Sequence, residues 1–231
     1  MPLQTNKYKL YLYLFFFIFL TSIFNFKILD NYQEKFSLKK IYIYGLSNNE
    51  KQSIEIELNK LRNINIFKLT EDRVLKTLKK FNFLENIYVN KVIPSTININ
   101  LSKTLIIGKT LRNGEYFYIG KNGNFIKSNQ LNETINIPSV FGEFRIEEYI
   151  DLQNILSENE VDLQSIEKYF YYKNKRWDLL FSNKLTLMLP SQNVAKSIKI
   201  YKKLLDSDNL INKKIIDLRI TNQIILTNYN E

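Results

Sequence analysis

Residues 83–102 read FLENIYVNKVIPSTININLS (Phe83–Ser102), and the alternation inside this stretch decides the fold. Ile97, Ile99 and Leu101 alternate with Asn98 and Asn100, the period of two expected of a strand with one buried face. Ile87–Val92 forms a second strand, joined to the first through Pro94-Ser95. Two neighbouring strands of this pattern need an apolar layer against one face. The residues upstream supply it.

Leu38–Leu46 contains the alternation Ile41-Tyr42-Ile43-Tyr44, a third strand, and Gly45 punctuates its end. Asn48 or Asn49 caps the helix that follows, with Gln52 three residues after Asn49 in a capping-box position. Ile54, Leu58 and Leu61 recur at helical spacing and form its buried stripe. A connector, Asn63–Leu69, carries the apolar pair Ile66 and Phe67. Thr70 then caps a second helix, with Glu71 and Asp72 in its first turn and Lys79 and Lys80 in its last, an order that suits the helix dipole. Val74, Leu75, Leu78 and Phe81 give that helix its apolar face. The unit is β-α-α-β-β, a three-stranded sheet with two helices on one side, and the class is α+β.

Downstream, Tyr116–Ile126 reads as a hairpin turning at Asn122-Gly123. Glu147–Leu156 is helical. Tyr169–Tyr172 and Arg176–Phe181 are strands, and Ser182-Asn183 turns the chain into Lys184–Leu189, where Leu185, Leu187 and Leu189 alternate. A helix after Ser191 buries Val194, Ile198, Tyr201 and Leu205; the strands Ile215–Arg219 and Gln223–Leu226 follow it. This half is a mixed, mostly antiparallel β domain with flanking helices.

Ahead of both lies Leu10–Phe26, LYLYLFFFIFLTSIFNF, an uncharged run between Lys7 and Lys9 on one side and Lys27 on the other. About 20 apolar residues cross a bilayer as a helix, so the run is at the short end of a transmembrane span. A cleaved signal peptide would need a small-x-small site after it, and the sequence there is bulky. Lys7 and Lys9 precede the run while charges after it nearly cancel, which points the N-terminus to the cytoplasm. The expected layout is a cytoplasmic tail over 1–9, a transmembrane helix over 10–26, a tether over 27–37, and two folded domains over 38–104 and 105–228.

The order of strand, Gly45-Leu46, helix, Asn65-Ile66-Phe67, helix, Phe83–Val89 and Pro94–Ile99 resembles a POTRA domain. A POTRA placed after a lone N-terminal span is the layout of the bacterial cell division family FtsQ/DivIB. Later stretches are similar to that family too: the Asn122-Gly123 hairpin, Ile137-Pro138-Ser139-Val140 with Gly142, Arg176–Leu180 with Leu185–Pro190, and Ile215-Ile216-Asp217-Leu218-Arg219. Ser102-Lys103-Thr104-Leu105 stands where the family often has an acidic residue before an apolar-Ala pair. The resemblance implies a division (divisome) scaffold in the inner membrane, its bulk in the periplasm at the septum. It implies partners of the FtsB and FtsL type on the C-terminal strand region, Asp217–Leu226 here, and other division proteins on the POTRA. The partner contacts expected are Arg219, Ile220, Thr221, Ile224 and Leu226, with Lys175 and Arg176 as anchors for partner acids. The competing reading is a POTRA-bearing component of protein secretion or envelope assembly, which would call for repeated POTRA units or a β-barrel.

Composition narrows the chemistry. The chain of 231 residues has no cysteine and no histidine. That removes disulfides, thiolate and His-ligated metal sites, and Ser-His-Asp or Cys-His catalysis. Glu147-Glu148 with Asp151 is the nearest carboxylate cluster, and its place on a surface helix reads as a solvated face. Gly108, Gly114, Gly120, Gly123 and Gly142 are separated by strand residues and make no phosphate loop. The net charge of +10 comes from scattered lysines, which suits an anionic bilayer surface or acidic partners better than nucleic acid. Trp177 belongs to the core. Asp217 and Arg219, two apart on a strand, point to one face and can pair. The reading is of a binding protein, not an enzyme, with no cofactor, no metal and no small-molecule substrate.

Overall fold

In the computed structural model, which describes residues 7–22, 34–131, 137–205, 213–220 and 223–228, a first helix α1 (Lys7–Ser22) precedes two folded units. The first unit comprises β1 (Lys40–Tyr44), α2 (Asn48–Leu58), α3 (Glu71–Leu78), β2 (Leu84–Val92) and β3 (Thr96–Lys103). β3 is central, parallel to β1 and antiparallel to β2, so the sheet order is β1-β3-β2. The alternation read in Ile97, Ile99 and Leu101 is the one realised: all three are buried, together with Ile43, Ile54, Leu58, Val74 and Leu78.

Three local details differ from the sequence reading. α2 is capped one residue earlier, by Ser47, and it is the Glu50 carboxylate that accepts the Ser47 amide at 3.0 Å. A carboxylate at the third helical position reaches the cap better than Gln52 can from farther along. Leu75 is 37% exposed, because the core-facing stripe of so short a helix is filled by Val74 and Leu78. Of the connector pair only Ile66 is buried; Phe67 lies outside against Phe36. Thr70 caps α3 as expected, accepting from Arg73 N. Gly45 has φ of +88°, and a Cβ there would run into the Leu101 carbonyl, so the turn after β1 requires glycine.

The second unit begins with β4 (Ile106–Arg112), β5 (Glu115–Gly120), β6 (Phe125–Lys127) and β7 (Ser139–Phe141). Then come α4 (Ile146–Glu158), β8 (Ile166–Tyr171), β9 (Trp177–Phe181), β10 (Thr186–Met188), α5 (Val194–Leu205), β11 (Lys213–Asp217) and β12 (Ile225–Asn228). They form one nine-stranded sheet in the order β12-β11-β10-β9-β8-β7-β4-β5-β6. Pairings of β4 with β7, β7 with β8, and β10 with β11 are parallel and the rest antiparallel. The register sets Val140, Tyr169, Leu179, Leu187, Ile216 and Leu226 in a single row across six strands. That row belongs to the core on which α4 sets Tyr149, Leu152 and Leu156, and α5 sets Ile198 and Tyr201. Leu205, expected inside, is 47% exposed at the end of α5.

The Asn122-Gly123 hairpin forms where the sequence places it. A second Asn-Gly turn, Asn113-Gly114 with φ of 50° and 80°, joins β4 to β5. The hairpin also locks the units together: Asn122 Nδ2 donates to the carbonyls of Asn82 at 3.0 Å and Leu84 at 3.2 Å, while Asn82 Nδ2 donates to Phe125 O at 3.1 Å. Ile126 is buried in the core of the first unit.

α1 has 16 residues, a length of about 24 Å against a ~30 Å hydrocarbon core. Among the described residues no helix is long and apolar enough to cross a membrane. Its aromatic and aliphatic side chains from Tyr8 to Leu20 are all exposed. The rest of the span expected over 10–26, and most of the tether over 27–37, lie outside the described residues.

Candidate partner-binding edge

Four strand edges exist in the described residues, and they are not equally open. The outer side of β6 is met by the Asn82 amide and by the packing of Ile126 into the first unit. Ahead of β1 the chain is flanked by its own connector, where Leu38 N donates to Ile64 O and Ile66 N to Phe36 O. β12 ends the large sheet and β2 ends the small one, with no described strand beyond either. β12 therefore carries main-chain groups that a partner strand can pair with.

Of the site residues expected from the sequence, Leu226 lies on β12 and Ile224 just before it, while Lys175 and Arg176 sit at the β8–β9 turn, three to four strands inward. β11, which holds Asp217, lies between β10 and β12 and is no edge itself. Arg219 and Ile220 fall in the connection after β11, and Thr221 lies outside the described residues. Ile220 and Ile224 are half exposed and line a hollow of about 330 Å³ with Leu218, Ile200, Lys196 and Pro190. Leu226 turns inward, partly buried against the core. Ile225, which the sequence reading passed over, stands 45% exposed on β12 itself.

Beside the edge sits a cluster of charges. The register aligns Asp178 on β9, Met188 on β10, Asp217 on β11 and Ile225 on β12. Arg219 grips Asp217 with both arms, Nε to Oδ1 at 2.8 Å and Nη2 to Oδ2 at 2.6 Å. That hydrogen-bonded pair holds the Asp217 carboxyl below the usual carboxylate range, although burial opposes it. Arg219 is thus already engaged within the chain. Arg176 stacks its guanidinium 4.2 Å above the Tyr172 ring. Its Nε lies 3.8 Å from Asp178 Oδ1, and both atoms are buried without a hydrogen bond. Burial pushes the Asp178 carboxyl up, against the pull of the Tyr172 hydrogen bond and of Arg176 and Arg219. Lys175 is at the tip of the same β8–β9 turn, with φ of 63°.

The arrangement offers main-chain pairing, an apolar hollow and cationic side chains, all of them means of holding a peptide. Glu148 of the acidic trio on α4 is spent on the helix cap, accepting the Arg145 amide at 3.0 Å. Among the described residues no group of three or more His, Cys, Asp or Glu could hold a metal ion.

The family profile for "Cell division protein FtsQ/DivIB, C-terminal" matches residues 110–219, and that for "POTRA domain, FtsQ-type" matches residues 36–103. Among curated proteins, the cell division protein FtsQ of Rickettsia bellii is 26% identical over 196 residues, covering 84% of this chain and 73% of that one. FtsQ of Rickettsia prowazekii is 26% identical over 200 residues with the same coverage. FtsQ of Rhizobium radiobacter is 21% identical over 178 residues, covering 74% of this chain and 85% of that one. Among solved structures, the major extracytoplasmic domain of the trans isomer of DivIB from Geobacillus stearothermophilus overlays 45% of this chain and 92% of its own, at a TM-score of 0.34 and 14% identity.

Proposed function

The chain belongs to the FtsQ/DivIB family of cell division proteins, and from that premise we propose that it is a non-enzymatic scaffold of the division machinery. In this reading the run Leu10–Phe26 anchors it in the inner membrane as a single pass, with residues 1–9 in the cytoplasm and the bulk in the periplasm at the septum. The exposed apolar side chains of α1 support the anchor, since they need a non-aqueous surrounding that no other described element supplies. The POTRA domain over 38–104 meets other division proteins. The β domain over 105–228 receives a segment of membrane-anchored partners of the FtsB and FtsL type.

The observation that carries the reading is the position of β12 at the open end of the nine-stranded sheet. A partner strand added there takes its affinity from main-chain hydrogen bonds and its specificity from alternate side chains. Ile220, Ile224 and Ile225 offer the apolar contacts and Lys175 and Arg176 the charges for partner acids, while Arg219 follows β11 and Leu226 lies beneath on β12.

Successive amides of a strand point to opposite sides, so Ile225→Pro and Leu226→Pro remove one outward donor and one donor to β11. Co-purification of FtsB- and FtsL-type partners with the full chain, beside its thermal melt, tells them apart. The variant that leaves the melt unchanged is expected to lose the partners. Retention of the partners by that same variant would overturn the edge as the binding site.

A further inference from the structure

β2 is the longest uncovered strand among the described residues, with seven consecutive residues, Asn86–Val92, in regular register with β3 and no described strand on its other side. Natural sheets blunt an edge of that length with proline, a bulge or inward charges. Here the only such devices are a bulge at Glu85, between the Leu84–Lys103 and Asn86–Ser102 pairs, and Lys91 near the far end of the regular ladder. Between them run Asn86, Ile87, Tyr88, Val89 and Asn90, neutral and rich in β-formers, and Tyr88 is 66% exposed.

The sequence of this edge is complementary to itself. When two antiparallel copies are centred on Tyr88, Ile87 faces Val89, Asn86 faces Asn90, and Glu85 faces Lys91, each pair occurring twice. Neither Glu85 nor Lys91 has an ion-pair partner among the described residues. Opposite charges placed across strands stabilise the pairing and like charges oppose it. A shift to bring Lys91 against Lys91 would lose both ion pairs and shorten the ladder.

We propose that β2 is a self-association edge: two copies of this chain pair β2 to β2, antiparallel about a two-fold axis at Tyr88, into one continuous six-stranded sheet. The contact is isologous and closes on itself, so it gives a dimer and no filament. It is separate from β12, which lies in the other sheet and stays open in both copies. This goes beyond the partner-binding role above and does not depend on it.

The natural absence of cysteine makes the test clean. In the full chain, Tyr88→Cys places one thiol at the two-fold axis, where directly opposed Cα atoms lie about 4.5–5.5 Å apart, within disulfide reach. Tyr42→Cys, on the same exposed sheet face but on β1, is the control. Mild oxidation is expected to give a disulfide dimer of Tyr88→Cys at several times the yield of Tyr42→Cys. Adding Lys91→Glu lowers that yield about fivefold, and adding Glu85→Lys as well restores it. Equal yields from the two cysteines, no restoration by the double charge swap, or cross-links to a different protein in place of a second copy would overturn the proposal.

Discussion

Glu50 in the small sheet's unit and Asp178 in the large sheet are both buried carboxylates, 5% and 3% exposed, and the two units treat them in opposite ways. Burial alone would raise the Glu50 carboxyl, but Ser47 and Lys103 supply enough hydrogen bonds to hold it below its ordinary value. Asp178 has Tyr172 and a distant Arg176, and burial prevails. The surroundings differ in kind as well. The first unit packs mostly aliphatic side chains between two helices and a sheet, with Phe81 edge-on to Phe83. The second is built on touching aromatic rings, with Trp177 centred 4.7 Å from Tyr171, 5.8 Å from Phe144 and 5.9 Å from Tyr149. Inside it Gln153 donates to both Tyr149 and Tyr169. One unit is settled as it stands; the other keeps an incompletely paired cluster at β9, three strands in from the edge where a partner is proposed.

The largest test of that contrast is Trp177→Ala, which empties the centre of the aromatic core and costs about 4 kcal/mol. Urea unfolding should show the loss, and amide exchange should show it concentrated in β7 to β10, with β1 to β3 still protected. Equal loss of protection in both sheets would mean that the seam at Asn82, Asn122 and Ile126 makes them a single cooperative body. Glu50→Gln comes next, at about 2 kcal/mol, the worth of hydrogen bonds to a charged acceptor. Because the folded carboxyl lies below its unfolded value, its stabilisation is complete above the unfolded value and fades as pH falls through the folded one. The variant should therefore lose the most at neutral pH and converge with the native chain in acid, as read from melts across pH. Smallest and opposite in sign is Asp178→Asn. A folded value above the unfolded one means that the charge burdens the fold at neutral pH and that protonation relieves it as pH falls. The Asp178→Asn variant should match or exceed the native melting temperature at pH 7, within about 1 kcal/mol, and its advantage should narrow on acidification. A clear drop would show Asp178 to be paired better than its geometry suggests.

Much of the first unit could be read from residues alone, because each local signal agrees with its tertiary setting. Ile97, Ile99 and Leu101 alternate and are buried; Thr70 has the composition of a cap and caps. β4 escapes the sequence reading for a physical reason. Its run Ile106–Arg112 is broken by Gly108, and that glycine is there because the Tyr149 hydroxyl and Val140 crowd the position, as a Cβ would lie 3.1 Å from each. The Asn113-Gly114 turn is a visible signal for the same hairpin. At the candidate edge, alternation puts Arg219 and Asp217 on one side of a strand but cannot say that they bind each other. Nor can it show β11 to be an inner strand, since that follows from α5 carrying the chain across to pair with β10 in parallel.

The strand order β8-β9-β10-β11-β12 is also the order of synthesis, each strand laid beside the one before it. Chain growth therefore moves the sheet's outer boundary outward until residue 228 is made. A chain interrupted before Lys213 presents β10 as its last strand, bare of both β11 and β12. Main-chain pairing there would engage a different sequence, Thr186–Met188, without the isoleucines of the finished edge. The proposed receptor strand is thus the last strand of the described sheet to be made, with its neighbour β11 made just before it.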